Sequence, residues 1–191
     1  MSAAEQSAPA LARRSGTANV GMAIFLGTLA MLFAALFFAY GVMRAQAPAW
    51  PPVGAAPLPR GALALNTLAL LAASLVLRRA GAAAKAGDAR VARRRSLGAL
   101  LLGAGFLTAQ ALVWRALVFE GGGPASGIYG SVFFAISGFH ALHVVGGLIA
   151  LALVSRAAPA DVAARRLRLC AVYWDFVLAV WAVFFVVACL G

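Results

Sequence analysis

Apolar positions along the chain gather into five long runs: about Val20 to Met43, Gly61 to Leu77, Ser96 to Phe119, Ile128 to Val154 and Leu169 to Leu190. Crossing ~30 Å of hydrocarbon takes ~20 helical residues, so each run predicts one membrane span. None shows the two-residue alternation of a membrane barrel strand. Lipid offers the backbone no hydrogen-bond partners and admits only helices and closed barrels. The pattern therefore predicts an all-α fold: an integral membrane bundle of five transmembrane helices.

The polar separators complete the outline. Residues 1–19 read as a polar, mobile N-terminal tail, and residues 20–191 as a single membrane domain. The segment "RAQAPAWPPVGAAPLPR" holds five prolines and cannot be helical throughout, and its Trp50 suits the membrane interface. "RRAGAAAKAGDARVARRR" reads as a basic hairpin loop, "EGGGPASG" as a tight turn and "SRAAPADVAARRLR" as a second basic loop. Internal repeats are absent from the sequence.

Composition sharpens the picture. The chain of 191 residues is 64% hydrophobic and 11% charged, with a mean hydropathy of +0.94. A water-soluble domain of this size has too little polar surface for such a chain. The net charge of +11 does not point to nucleic acid, because the cations sit between apolar runs, where lipid headgroups meet them. Thirteen cations (Arg13, Arg14, seven from Arg78 to Arg95, four from Arg156 to Arg168) fall on one side of the predicted spans and three (Arg44, Arg60, Arg115) on the other. The positive-inside rule then predicts a cytoplasmic N-terminus and an outer C-terminus at Gly191. The first apolar run is too long for a secretory leader, so none is expected. Cys170 and Cys189 lie ~28 Å apart on one helix, beyond reach of a disulfide.

In lipid the few polar residues inside the spans are the informative ones. Thr28 can bond its own backbone at i−4. Asn66 cannot satisfy its amide on its own helix and predicts an interhelical hydrogen bond. Gln110 and Trp114 occupy the third span. Arg115 can extend outward along the helix, but it stands five residues from Glu120 and off its face. His140 and His143 lie on one helix face. They could be metal ligands, a proton relay, or neutral imidazoles bonded across a helix interface or to a headgroup. A catalytic metal site takes about three protein ligands, and a haem takes axial ligands from opposite sides, so the helix-interface reading is adopted. On the last span Trp174, Leu178, Trp181 and Phe185 form a bulky stripe. Asp175, Ala179, Ala182 and Val186 form a smaller adjacent face, expected to approach a neighbouring helix, with His143, Asn66 or a partner chain as donors to Asp175. Catalytic, cofactor-binding and metal-binding residues are not predicted.

Five stretches carry a resemblance. "YGSVFFAISGFHALHVVGGLIAL" resembles the part of subunit III of haem-copper oxidases that reads Gly-Phe-His-x-x-His-Val. "YWDFVLAVWAVFF" is similar to that family's last-helix pattern Tyr-Trp-His-Phe-Val-Asp-x-x-Trp. "FLGTLAMLFAALFFAY" followed by "WPP", then "LNTLALLAASLVL" and "FLTAQALVW", match its earlier helices in order. The match begins near residue 20 and implies the short five-helix form of cytochrome c oxidase subunit III. His140, His143, Asn66, Gln110, Tyr173, Trp174 and Trp181 stand at family-motif positions. Leu29, Val113 and Leu178 stand where the pattern carries acids, and Asp175 where it carries histidine.

The resemblance implies a non-catalytic accessory subunit of an enzyme complex that reduces oxygen and pumps protons. It would pack directly against catalytic subunit I, beside subunit II and with room for a subunit IV, in a bacterial-type inner membrane. Haem and copper would sit in the partner subunits, with none on this chain, and a structural phospholipid is allowed. A subunit of a quinol oxidase or nitric oxide reductase complex remains an alternative. An independent b-type cytochrome and a small transporter stand further off, since the histidines are few and no span is broken by proline.

Overall fold

The computed structural model describes the backbone of residues 3–156 and 160–189, and side chains at 16–155 and 162–189. Among the described residues the regular structure is wholly helical: α1 (Ala3–Gln46), α2 (Arg60–Lys85), α3 (Ala89–Phe119), α4 (Ile128–Arg156) and α5 (Ala160–Cys189). Each contains a stretch long and apolar enough to cross a membrane.

The helices outrun the apolar runs. The segment 3–19, expected as a mobile tail, continues α1 as helix. The expected basic loop 78–95 is a correction: α2 continues to Lys85, α3 starts at Ala89, and only a short turn separates them. Alanine, arginine and lysine are good helix formers, so nothing stops α2 until Gly87, which takes φ +84°. Asp88 then caps α3, its Oδ1 accepting from Val91 N at 2.9 Å. The second expected basic loop is likewise mostly helix, since α5 begins at Ala160; residues 157–159 lie outside the described residues, as do the side chains of Arg13 and Arg14 and the terminal Gly191. The glycine-rich turn is as expected, with Gly121 at φ 79° and Gly127 at φ 112°.

Helices α2, α3, α4 and α5 form the packed body. Helix α2 lies against α3 and α5, and α4 against α5 and α3. On α2 the buried stripe is Leu63, Asn66, Leu70, Ala73, Ser74, Leu77 and Ala80, a three-and-four spacing that keeps one helix face inward. Helix α1 is peripheral and packs chiefly against α5 and α4. Of its most apolar window 6% is buried, against 33–39% in the other four helices; Phe33 and Tyr40 are its buried anchors. The loop after it is tied down: Trp50 Nε1 donates to Tyr40 Oη at 2.9 Å, and the Tyr40 hydroxyl reaches the Val187 carbonyl at 3.3 Å.

Candidate functional site

The buried polar groups sit between helices. Asn66 Nδ2 on α2 donates to Gln110 Oε1 on α3 at 3.0 Å, the interhelical bond its amide required. Trp181 Nε1 on α5 donates to Thr67 Oγ1 at 3.0 Å, and Thr67 donates onward to the Leu63 carbonyl at 2.9 Å. Trp114 Nε1 on α3 donates to Ser137 Oγ on α4 at 3.0 Å, and Ser137 donates to the Phe133 carbonyl at 2.7 Å. These pairs join α2 to α3, α2 to α5 and α3 to α4. A hydrogen bond of this kind in lipid contributes about 0.6–2 kcal/mol.

The two histidines share a helix face but not an environment. His140 is 1% exposed and enclosed by aromatic rings. Trp181 lies 5.0 Å away between centroids, Phe106 5.7 Å and Phe33 6.4 Å. Neither of its ring nitrogens has a hydrogen-bond partner among the described residues. His143 is half-buried. Its Nδ1 meets the Phe139 carbonyl of its own helix at 2.6 Å, and its ring packs edge-on against Phe33 at 5.2 Å. Among the described residues neither imidazole bonds across a helix interface: His140 packs among tilted and edge-on rings, and His143 bonds within its own helix. A cross-helix bond does exist there, but it uses backbone, from Tyr173 Oη to the His143 carbonyl at 2.8 Å. No group of three or more His, Cys, Asp or Glu side chains converges among the described residues.

Asp175 is the second correction. Its donors are Arg78 and Ser74 of α2, not His143 or Asn66. Arg78 Nη2 lies 2.7 Å from Oδ2, Arg78 Nε donates to Oδ1 at 3.1 Å, and Ser74 Oγ donates to Oδ1. Ser74 and Arg78 stand four apart on one face of α2, a spacing visible in the sequence that would have found the pair. The side chain of Asp175 is 28% exposed and that of Arg78 63%, which puts the pair at the edge of the bundle. The small face of α5 also turns the other way from the expectation. Ala179 and Val186 are exposed, while Trp174, Val177, Trp181 and Phe184 are buried. The bulky stripe faces inward because glycines on the neighbouring helices make room. A Cβ at Gly103 of α3 would lie 2.8 Å from the Trp174 ring, and one at Gly147 of α4 3.0 Å from it. Thr28 bonds the carbonyl at i−3, Phe25, at 2.7 Å, and not the one at i−4.

These residues sit in a sequence whose relatives are known. The sequence model of the family described as cytochrome c oxidase subunit III matches residues 6–190. The chain belongs to the cytochrome c oxidase subunit III family. A probable cytochrome c oxidase subunit 3 of Nocardia farcinica is 39% identical over 175 residues, covering 88% of this chain and 85% of the relative. A protein of the same name from Mycobacterium tuberculosis is 37% identical over 186 residues, covering 91% and 88%. The cytochrome c oxidase subunit 3 of Corynebacterium diphtheriae is 35% identical over 197 residues, covering 96% and 92%. As a subunit III with five membrane-spanning helices, the chain is a multi-pass membrane protein. Its motif residues His140, Asn66, Gln110, Trp174 and Trp181 are buried helix-interface residues. His143, Tyr173 and Asp175 lie half-buried at the margin of the same bundle.

Proposed function

We propose that this chain is the accessory subunit of a haem-copper terminal oxidase, packing against catalytic subunit I beside subunit II in a bacterial inner membrane, N-terminus in the cytoplasm. Haem and copper are then held by the partners, and this chain braces the oxygen-reducing centre without touching it. The carrying observation is how its polar groups are used. Asn66, Gln110, Thr67, Ser137, Trp114 and Trp181 bond to one another between helices, and the lone intramembrane acid is matched by Arg78. Such a bundle is built to hold a shape. With Leu29, Val113 and Leu178 at the other positions where the family pattern carries acids, Asp175 is the one carboxylate within the spans.

The test is recovery of the intact complex from native membrane through a tag on this chain, with partners identified by mass spectrometry. A copper-binding cysteine pair in the recovered subunit II marks a cytochrome c oxidase; its absence marks a quinol oxidase. A complex lacking this chain is expected to keep its haem spectrum and initial oxygen consumption but to lose activity faster during turnover. A haem or copper signal in stoichiometric amount from this chain alone would overturn the proposal.

A further inference from the structure

One layer of the bundle, within the spans, is polar. Helices α2, α3, α4 and α5 each supply one side chain to it: Asn66, Gln110, His140 and Trp181, each 2% exposed or less. Contacts fix the level. Asn66 bonds Gln110 at 3.0 Å. Thr67, the next residue of α2, takes the Trp181 indole at 3.0 Å, and the Trp181 ring lies 5.0 Å from that of His140. Gln110 and His140 are bracketed together on the remaining side. One turn before Gln110, the Phe106 ring packs edge-on against His140 at 5.7 Å. One turn after Gln110, Trp114 bonds Ser137, which stands three residues before His140 on the same face of α4. Gln110 therefore lies opposite the stretch of α4 that carries Ser137, His140 and Ala141.

Hydrogen bonding in this layer does not close. The carbonyl oxygen of Gln110 accepts from Asn66, but its Nε2 has no partner among the described residues, and neither has either ring nitrogen of His140. A neutral imidazole presents one N–H and one lone pair, so an unmet acceptor stands beside unmet donors. Turning both amides over exchanges the unmet N–H groups of Gln110 for an unmet carbonyl oxygen and leaves the imidazole as it is. Buried polar groups are almost always paired, and water takes the place where protein supplies no partner. Ser137 and Ala141, the buried neighbours of His140 on α4, are small and leave room beside the ring. Ser137 Oγ accepts from Trp114 and donates to the Phe133 carbonyl, which keeps one of its lone pairs free. A metal ion fits less well. No three His, Cys, Asp or Glu side chains converge among the described residues, and the N–H groups of Gln110 repel a cation.

We infer that a buried water molecule is bound between α3 and α4, accepting from Gln110 Nε2 and donating to the unprotonated nitrogen of His140, with Ser137 Oγ as a second acceptor. The ring's own N–H is left to the aromatic wall, where Phe106 stands at 82° to it, an arrangement that suits an N–H to ring contact. The water completes a belt. Asn66 and Gln110 join α2 to α3, Thr67 and Trp181 join α2 to α5, the water joins α3 to α4, and the contact of His140 with Trp181 shuts the ring. An imidazole rather than a phenyl ring stands at 140 because only the imidazole supplies the acceptor. The inference holds whichever oxidase the subunit serves.

The experiment is a cryo-EM map of the whole complex carrying this chain, in lipid nanodiscs and fine enough to show ordered water. A peak is expected at about 2.7–3.2 Å from both Gln110 Nε2 and one ring nitrogen of His140. His140→Phe should lose the peak and keep the Asn66 to Gln110 bond. A wild-type map without the peak, or with Gln110 bonded directly to the ring, would overturn the site; this result stands whether or not the variant assembles. A peak at about 2.0–2.4 Å from its ligands would overturn it in favour of a metal ion. Unfolding of the purified chain reads the bridge independently. His140→Phe and Gln110→Leu should each raise the unfolding equilibrium constant roughly ten-fold. The double variant should raise it roughly thirty-fold or less, because both single changes break the same bridge. A rise of about a hundred-fold, the product of the two, would sink the bridge.

Discussion

Gly103→Ala tests the packing that lets the bulky stripe of α5 face inward. The added Cβ would fall 2.8 Å from Trp174 Cη2 and Cζ2 and 2.9 Å from Leu148 Cδ2. Carbon atoms settle at about 3.5–4.0 Å, so the indole or the helix must give by about 0.7 Å. The indole has nowhere to go: Trp174 is 1% exposed, and its opposite edge already lies so near the Gly147 backbone that a Cβ there would meet it at 3.0 Å. Overpacking of this kind costs about 1–3 kcal/mol, and the better helix propensity of alanine returns up to about 1 kcal/mol. The expected net loss is about 1–2 kcal/mol, measured by reversible unfolding of the purified chain in mixed SDS and lipid micelles. Trp174→Phe alone also destabilises, by leaving a void. In the double variant the shorter ring makes room for the methyl, so the two losses should fall short of additivity by about 1 kcal/mol or more. A neutral or stabilising Gly103→Ala, or a strictly additive cycle, would refute the argument that this glycine exists to seat the tryptophan.

Other predictions rest on single contacts. Arg78→Gln should cost about 1 kcal/mol in the same assay, the small figure reflecting the exposure of Arg78; Arg78→Gln/Asp175→Asn should recover most of it, since no unpaired carboxylate remains. Gln110→Leu should cost about 1–2 kcal/mol because Asn66 Nδ2 is left unpaired in lipid, whereas Asn66→Leu/Gln110→Leu should lie closer to wild type. Ser137→Ala removes the acceptor of the Trp114 indole, and a loss of about 1 kcal/mol is expected, with a changed Trp114 emission spectrum as an independent readout. Trp50→Phe removes the indole donor that ties the loop to the Tyr40 hydroxyl, and faster hydrogen exchange should follow in the 47–59 loop while α2 to α5 stay protected.

The spans were legible in the sequence because lipid makes a strict demand. Every backbone group must be satisfied within its own segment, so long apolar runs can only be helices. Asn66 was legible for the same reason, since an amide has no partner on its own helix and must look across. The ends of the helices were not, because lipid thickness sets the length of the apolar run while helix propensity and caps set the length of the helix. Gly87 and Asp88 decide that boundary, with Arg and Lys helical up to it. The partner of Asp175 was missed because Arg78 sits among cations and reads as a topology signal, although its spacing from Ser74 aims it at α5. The orientation of α5 was misjudged for a reason of packing. The room is supplied from the other side, by Gly103 and Gly147 on the neighbours, so the large residues of α5 rather than its small ones can face inward. In the histidine pair, spacing correctly placed both rings on one face, but it could not say that Phe33, Phe106 and Trp181 would enclose only one of them.

The attachment of α1 chiefly to α4 and α5 has a consequence for biosynthesis. Its main docking surfaces leave the ribosome last, the nearer of them starting at Ile128 after α2 and α3 have been made. The helix must therefore wait in the bilayer while α2 and α3 insert and pair. Only when Val187 and the rings around His140 have been translated can Tyr40 and Phe33 be seated, so the earliest of these five helices to enter the membrane is the last to be locked in place.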